Sequence, residues 1–111
     1  MEQWSGEYPA DMSPLNWTVI LKALADKNRL QIIHELLKHE ATVNELSDAL
    51  NLKVYNMSKH LKVLEASGLL QKRKNGSRRI YNITEQLMSR LSEDRQVLDL
   101  GCCKFIFVSE K

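Results

Sequence analysis

The chain has 111 residues, 43% hydrophobic and 27% charged, with a formal net charge of +2. That is the length of one domain and the composition of a soluble globular protein, which can bury a core with no disulfide or cofactor needed for folding. No apolar run reaches the length of a membrane span, the opening MEQWSGEYPADMSP lacks the apolar core of a secretory signal, and only two cysteines are present. A reducing cytoplasmic setting with no membrane contact is therefore expected.

Residues 1–12 lack periodicity and read as an arm, in which Trp4 and Tyr8 offer apolar groups for docking. Ser13-Pro14 has the form of a helix start, a hydroxyl cap before a proline at the first helical position. Trp17, Ile20, Leu21 and Leu24 follow as an apolar stripe, broken at Asp26-Lys27-Asn28. The next helix places Leu30, Ile33, Leu36 and Leu37 inward and ends near His39. Thr42-x-x-Glu45 is a capping box, opening a helix with Val43, Leu46, Ala49 and Leu50 inward. After Asn51-Leu52-Lys53, the stretch from Val54 to Ser67 carries Met57, Leu61 and Leu64 on one face and Tyr55, Asn56, Ser58, Lys59 and Lys62 on the other. Gly68 supplies the left-handed residue that ends it.

Leu69 to Ile83 reads as a β-hairpin around Asn75-Gly76, a two-residue type I′ turn. That turn would set Lys74 against Ser77, Arg73 against Arg78, Lys72 against Arg79 and Leu70 against Tyr81. Two like-charged pairs face to face destabilise a hairpin unless an anion meets them. Thr84 caps a further helix through about Leu91, and Ser92 opens either a short continuation or a loop. Val97 to Val108 is β-prone, with a strand around Cys103–Val108 that must be buried against the body or a second chain.

The charge is unevenly placed. Residues 1–52 balance at −4, residues 80–111 at −1, and residues 53–79 at +7, with eight cations against Glu65 alone. A tight turn between two short helices, a second helix with a basic outer face and a basic hairpin together make a helix-turn-helix with a wing, a face suited to a polyanion. Tyr55 and Asn56 stand near the helix N-terminus, where base edges are reached; Asn can pair with adenine and Tyr can touch phosphate or a thymine methyl. Lys53, Lys59 and Lys62 suit phosphates, as do Lys72, Arg73, Lys74, Arg78 and Arg79 of the hairpin. The competing reading from another class is a winged-helix module that binds acidic protein surfaces without sequence-specific DNA binding. An enzyme is not expected: the chain has no nucleotide loop and no Cys-x-x-Cys.

His34 and His39, five apart, do not share a helix face, so they read as structural. Cys102-Cys103 is the one reactive-looking pair. Neighbours on a strand point to opposite faces, so a structural role stands ahead of a soft-metal or redox role.

The stretch LADKNRLQIIHELLKHEATVNELSDALNLKVYNMSKHLKVLEASGLLQKRKNGSRRIYNIT resembles the core of the ArsR/SmtB repressor family. The matching pieces are Leu24-Ala25-Asp26 with Arg29-Leu30 and Ile33, Glu45-Leu46, Ser58-x-His60-Leu61-x-x-Leu64, Gly68-Leu69 and the wing ending in Tyr81. The resemblance implies a homodimeric repressor on double-stranded DNA, with Val54–Ser67 in the major groove, the hairpin on flanking backbone, and release by an inducer, often a thiophilic or transition metal. It adds His60, which a capping or packing role explains as readily, and Tyr81 to the candidate DNA-binding set. Two features depart from the family: Ala41 to Glu45 holds no cysteine and Thr84 to Leu100 no histidine, so neither of its usual metal sites is carried over. A thiophilic metal, arsenite or an oxidant would then have Cys102 and Cys103 as its ligands. The expected fold is mainly α with a small β-hairpin: five or so helices, a two-stranded wing and a C-terminal strand. The expected parts are an arm over 1–12, a winged helix-turn-helix over 13–92 and a tail over 93–111 at a dimer interface.

Overall fold

The computed structural model describes residues 16–99 and 103–107. Helices α1 (Trp17–Leu24), α2 (Lys27–Lys38), α3 (Val43–Leu50) and α4 (Val54–Ala66) precede the hairpin β2 (Leu70–Asn75) and β3 (Arg78–Ile83). The two-residue strand β1 (Ala41–Thr42) lies between α2 and α3, and α5 (Glu85–Met88), β4 (Val97–Asp99) and β5 (Lys104–Ile106) complete the chain. The arm over 1–12, with Trp4 and Tyr8, lies outside the described residues, as do Ser13 and Pro14.

Side chains that satisfy the otherwise orphaned first-turn N–H groups set where the helices begin. The Asn16 carboxamide accepts from the Val19 N–H at 3.1 Å, so α1 is capped three residues later than Ser13. One Asp26 oxygen accepts from the Asn28 and Arg29 N–H groups at 2.8 and 3.1 Å, which makes the expected break the cap of α2. The capping box of α3 is complete: Thr42 Oγ1 accepts from the Glu45 N–H at 3.2 Å, and Glu45 Oε1 accepts from the Thr42 N–H at 2.9 Å. Asn51, at φ +55°, closes α3 and starts the tight turn into α4. At the end of α4, Gly68 stands at φ +87°; its N–H reaches the Glu65 carbonyl and the Leu69 N–H the Leu64 carbonyl, a Schellman ending.

Ile20, Leu24, Ile32, Ile33, Leu46, Met57, Leu61 and Leu64 are fully buried in one core. Truncating such a leucine costs about 2–5 kcal/mol. The expected inner faces need two corrections. Leu21 is exposed, and Ala23 takes the inner place on α1; Ala49 is exposed, and Ser47 is buried on α3. An isolated surface apolar side chain costs little, so composition alone does not turn it inward.

The wing is a three-stranded antiparallel sheet in the order β1-β3-β2. Its register differs from the one expected. Asn75 pairs with Arg78, Lys74 with Arg79, Arg73 with Ile80, Lys72 with Tyr81 and Leu70 with Ile83. The two loop residues are therefore Gly76 and Ser77, with positive φ only at Gly76 (+68°), the sign pattern of a type II′ turn. The expected register would set Ile83 against Gly68, which the end of α4 already holds. The observed one pairs two buried residues, and the Thr84 hydroxyl donates to the Gly68 carbonyl at 2.9 Å. One like-charged pair, Lys74 and Arg79, remains face to face instead of two.

Helix α5 is a single turn capped by Thr84, shorter than the helix to Leu91 expected, and the chain loops at Ser92. Strands β4 and β5 then form a small hairpin that folds back on α2 of the same chain. Arg95 Nη1 donates to the Leu37 carbonyl at 2.8 Å, and the Phe107 ring stacks on His34 with centroids 5.2 Å apart. Leu98 and Phe107 are buried in the chain's own core, so Phe107 is not left over for a partner. No described helix is long and apolar enough to cross a membrane.

Candidate nucleic-acid interface

The buried stripe of Met57, Leu61 and Leu64 fixes the rotation of α4 and turns its other side to solvent. Lys53, Tyr55, Asn56, Ser58, Lys59 and Lys62 are all exposed there. Tyr55 is 72% exposed, yet it is not unsupported: Lys59 Nζ lies 5.1 Å from its ring centroid, one helical turn on. Lys53 occupies the cap position of α4 and makes no side-chain cap bond. The first-turn N–H groups therefore face outward beside Tyr55 and Asn56, with the positive end of the helix dipole behind them.

His60 does not join this face. It is half-buried, with Nδ1 3.3 Å from Nη1 of Arg29, so it ties α4 to α2. Tyr81 is buried in the core, with β1 and β2 on either side of its strand, so it leaves the expected contact set. In each case the chain packs against the side chain from the interior, which for His60 agrees with its packing reading.

The wing's cations divide into two groups. Arg73 makes a two-pronged bond to Glu40, Nη1 to Oε1 at 2.8 Å and Nη2 to Oε2 at 2.7 Å. Arg78 Nη2 reaches Glu45 Oε2 at 3.4 Å, and Lys72 Nζ reaches Glu65 at 3.6 Å. Lys53, Lys59, Lys62, Lys74 and Arg79 make no ion pair among the described residues. The Arg73 bond holds the Glu40 carboxyl below its ordinary range and raises the Arg73 guanidinium. The Glu45 carboxyl is also lowered, first by the Thr42 N–H and less by Arg78. Glu40 and Glu45 were not among the residues expected at this face. The Thr42-x-x-Glu45 spacing showed one job for Glu45; its second oxygen depends on β1 bringing the wing alongside.

Among the described residues no group of three or more His, Cys, Asp and Glu is placed to hold a metal. Cys103 is exposed just before β5, and Cys102 lies outside the described residues. His34 packs on Phe107, and His39 is exposed, its Nδ1 3.0 Å from the Glu40 carbonyl.

Comparison with known proteins falls on this same region. A family model described as a helix-turn-helix domain matches residues 24–73. The transcriptional activator HlyU of Vibrio cholerae is 37% identical over 75 residues, spanning 68% of this chain and 69% of its own length. The arsenical resistance operon repressor of Bacillus subtilis is 34% identical over 86 residues, 76% of each chain. Among solved structures, a homodimeric winged helix-turn-helix DNA-binding domain from Mycobacterium bovis, titled a possible ArsR-family regulator, superposes with a TM-score of 0.63. It shares 31% identity over 67% of this chain and 68% of its own.

Proposed function

The chain belongs to the ArsR/SmtB family of winged helix-turn-helix transcriptional regulators, and from that premise we propose that it is a sequence-specific DNA-binding repressor acting in the cytoplasm as a homodimer. The observation that carries the reading is the outer face of α4. A helix anchored by Met57, Leu61 and Leu64 presents Tyr55 and Asn56 at its uncapped N-terminus, with Lys53, Lys59 and Lys62 around them. Asn56 and Tyr55 read bases; the lysines, Ser58 and the wing cations hold phosphates. The wing adds Lys74 and Arg79 directly, and Arg73, Arg78 and Lys72 by exchange from their carboxylates. An inducer that lowers the fit of the two recognition helices to half-sites about one DNA turn apart would release the DNA.

The test uses duplexes selected from a random pool by the purified protein, with an unselected duplex as reference. Affinity is expected to fall steeply with salt, about −0.9 in log–log slope per phosphate neutralised. Replacing Arg73, Arg78 and Arg79 together should flatten that slope on both duplexes. Asn56→Ala should weaken the selected duplex by about 1–3 kcal/mol while sparing the reference. A salt-independent interaction, or equal loss on both duplexes with Asn56→Ala, would contradict the assignment.

A further inference from the structure

Behind the recognition helix lies a groove that the DNA-facing surface does not use. It runs between α1, the start of α2 and the last two turns of α4, lies open to solvent with a volume of about 390 Å³, and is lined by Val19, Lys22, Ala23, Arg29, Val63 and Ala66 among others. That volume falls in the range of small-molecule sites, roughly 300–1,000 Å³. The lining is mostly apolar, and Val19 and Val63 are each about two fifths exposed.

The charged groups of the groove are of one sign, and its one neutral hydroxyl, Ser67, donates to the Leu64 carbonyl at 2.8 Å. Lys22 is exposed at the rim and makes no ion pair among the described residues. Arg29 donates from Nε to the Ala23 carbonyl at 2.6 Å, and its Nη1 lies 3.3 Å from His60 Nδ1 on α4. The neighbouring acid, Asp26, accepts two backbone N–H groups with Oδ1 and sets Oδ2 3.9 Å from Arg29 Nη1, so it offsets part of the Arg29 charge. The helix-end carbonyls of Lys22, Ala23, Val63, Leu64 and Glu65 each accept a hydrogen bond within the chain. Apolar walls with an unpaired Lys22 and an Arg29 only partly offset by Asp26 fit a molecule with one carboxylate and an apolar tail.

Position links the groove to α4. Val63 and Ala66 belong to that helix, and Arg29 is the side chain that joins the end of α1 to its middle. On α1, Val19 and Ala23 flank the buried Ile20–Leu24 line on one side, and exposed Leu21 flanks it on the other. A second copy seated against Leu21 would leave the groove open.

We propose that this groove binds a free single-chain carboxylate of the medium-chain fatty-acid type, its tail against Val19, Ala23, Val63 and Ala66 and its head between Lys22 and Arg29. The bound head competes with the Ala23 carbonyl and His60 for Arg29, which loosens α4 from α1 and lowers DNA affinity. This last step rests on the DNA-binding role proposed above; the binding step does not.

Decanoate, with decanol as its neutral counterpart, is titrated calorimetrically into the full chain, below the concentration at which it forms micelles. Saturable binding of one decanoate per chain is expected. Lys22→Glu should weaken it at least about tenfold, Lys22→Arg should preserve it, and Ala66→Phe, which fills the groove, should abolish it. Absence of saturable binding, equal affinity for decanol, or indifference to Lys22→Glu would overturn the site. Duplex affinity at saturating decanoate should fall at least about fivefold in the wild type and not in Ala66→Phe. Unchanged duplex affinity with decanoate bound would overturn the coupling through Arg29. A chain that binds decanoate but no duplex under any condition would instead place the failure in the DNA-binding role.

Discussion

Both prongs of the Arg73 guanidinium are occupied by Glu40 before any DNA arrives. A phosphate that takes Arg73 must displace a carboxylate, so this contact is an exchange and contributes less than a cation facing only water. Glu40→Gln is expected to raise duplex affinity a few-fold and to steepen its salt dependence by up to about 0.9 in log–log slope, as read by fluorescence anisotropy over a salt series. An unchanged or reduced affinity would mean that Glu40 instead orients the wing for binding. Asp26 illustrates a different use of a carboxylate. The backbone N–H of Arg29, then the charge of Arg29 and the N–H of Asn28, hold its carboxyl below the ordinary value of 3.8. A lowered folded-state value means the ionised form is the stabilising one. Its contribution is present above that ordinary value and disappears as the pH falls through the lowered one. Asp26→Ala should cost about 1 kcal/mol near neutral pH by urea denaturation. Asp26→Asn keeps a cap acceptor and should lose less, while removing this residue's share of the acid sensitivity.

The helices were largely legible in the sequence because each has a stripe at helical spacing, with the Thr42-x-x-Glu45 box opening α3 and Gly68 past the end of α4, whereas Asp26 read only as a break and proved to be the cap of α2. The solvent-facing side of α4 followed from the same stripe. What was not legible depends on contacts distant along the chain. Asn75-Gly76 is a turn signal on local grounds alone, but Leu70 against Ile83 and Ala41 against Tyr81 move the turn one residue on. The same pairing buries Tyr81. The strand in the tail was legible, but its docking place was not, since β4 and β5 are held by Arg95 and Phe107 on α2, some sixty to seventy residues earlier in the chain. The corrected turn is testable. A Cβ added at Gly76 would meet nothing within 4 Å, so any penalty comes from its φ of +68° alone. Gly76→Ala should destabilise by about 1–2 kcal/mol in thermal or urea unfolding, and Gly76→Asn, which tolerates that region better, by less. Equal stability of Ala and wild type would argue against a left-handed residue there.

With Phe107 and Leu98 in its own core, the chain has less apolar surface to offer a partner than the sequence implied, and exposed Leu21 on α1 becomes the residue on which the proposed dimer turns. Leu21→Glu should convert dimer to monomer in sedimentation at micromolar concentration while leaving the helical circular dichroism intact; a variant that stays dimeric would place the interface elsewhere. The two-residue strand β1 has a separate consequence. It joins the root of β3 to the residue that caps α3, so the base of the wing cannot open without undoing the start of the helix-turn-helix. The tip beyond Arg79 has no backbone tie of this kind and is joined to α3 only by the exposed Arg78–Glu45 ion pair. Amide hydrogen exchange should therefore split one hairpin into two kinetic classes. Residues 80–83 should lose their protons only on global unfolding, with the same denaturant dependence as α4, and residues 74–79 should exchange orders of magnitude faster through a local fluctuation.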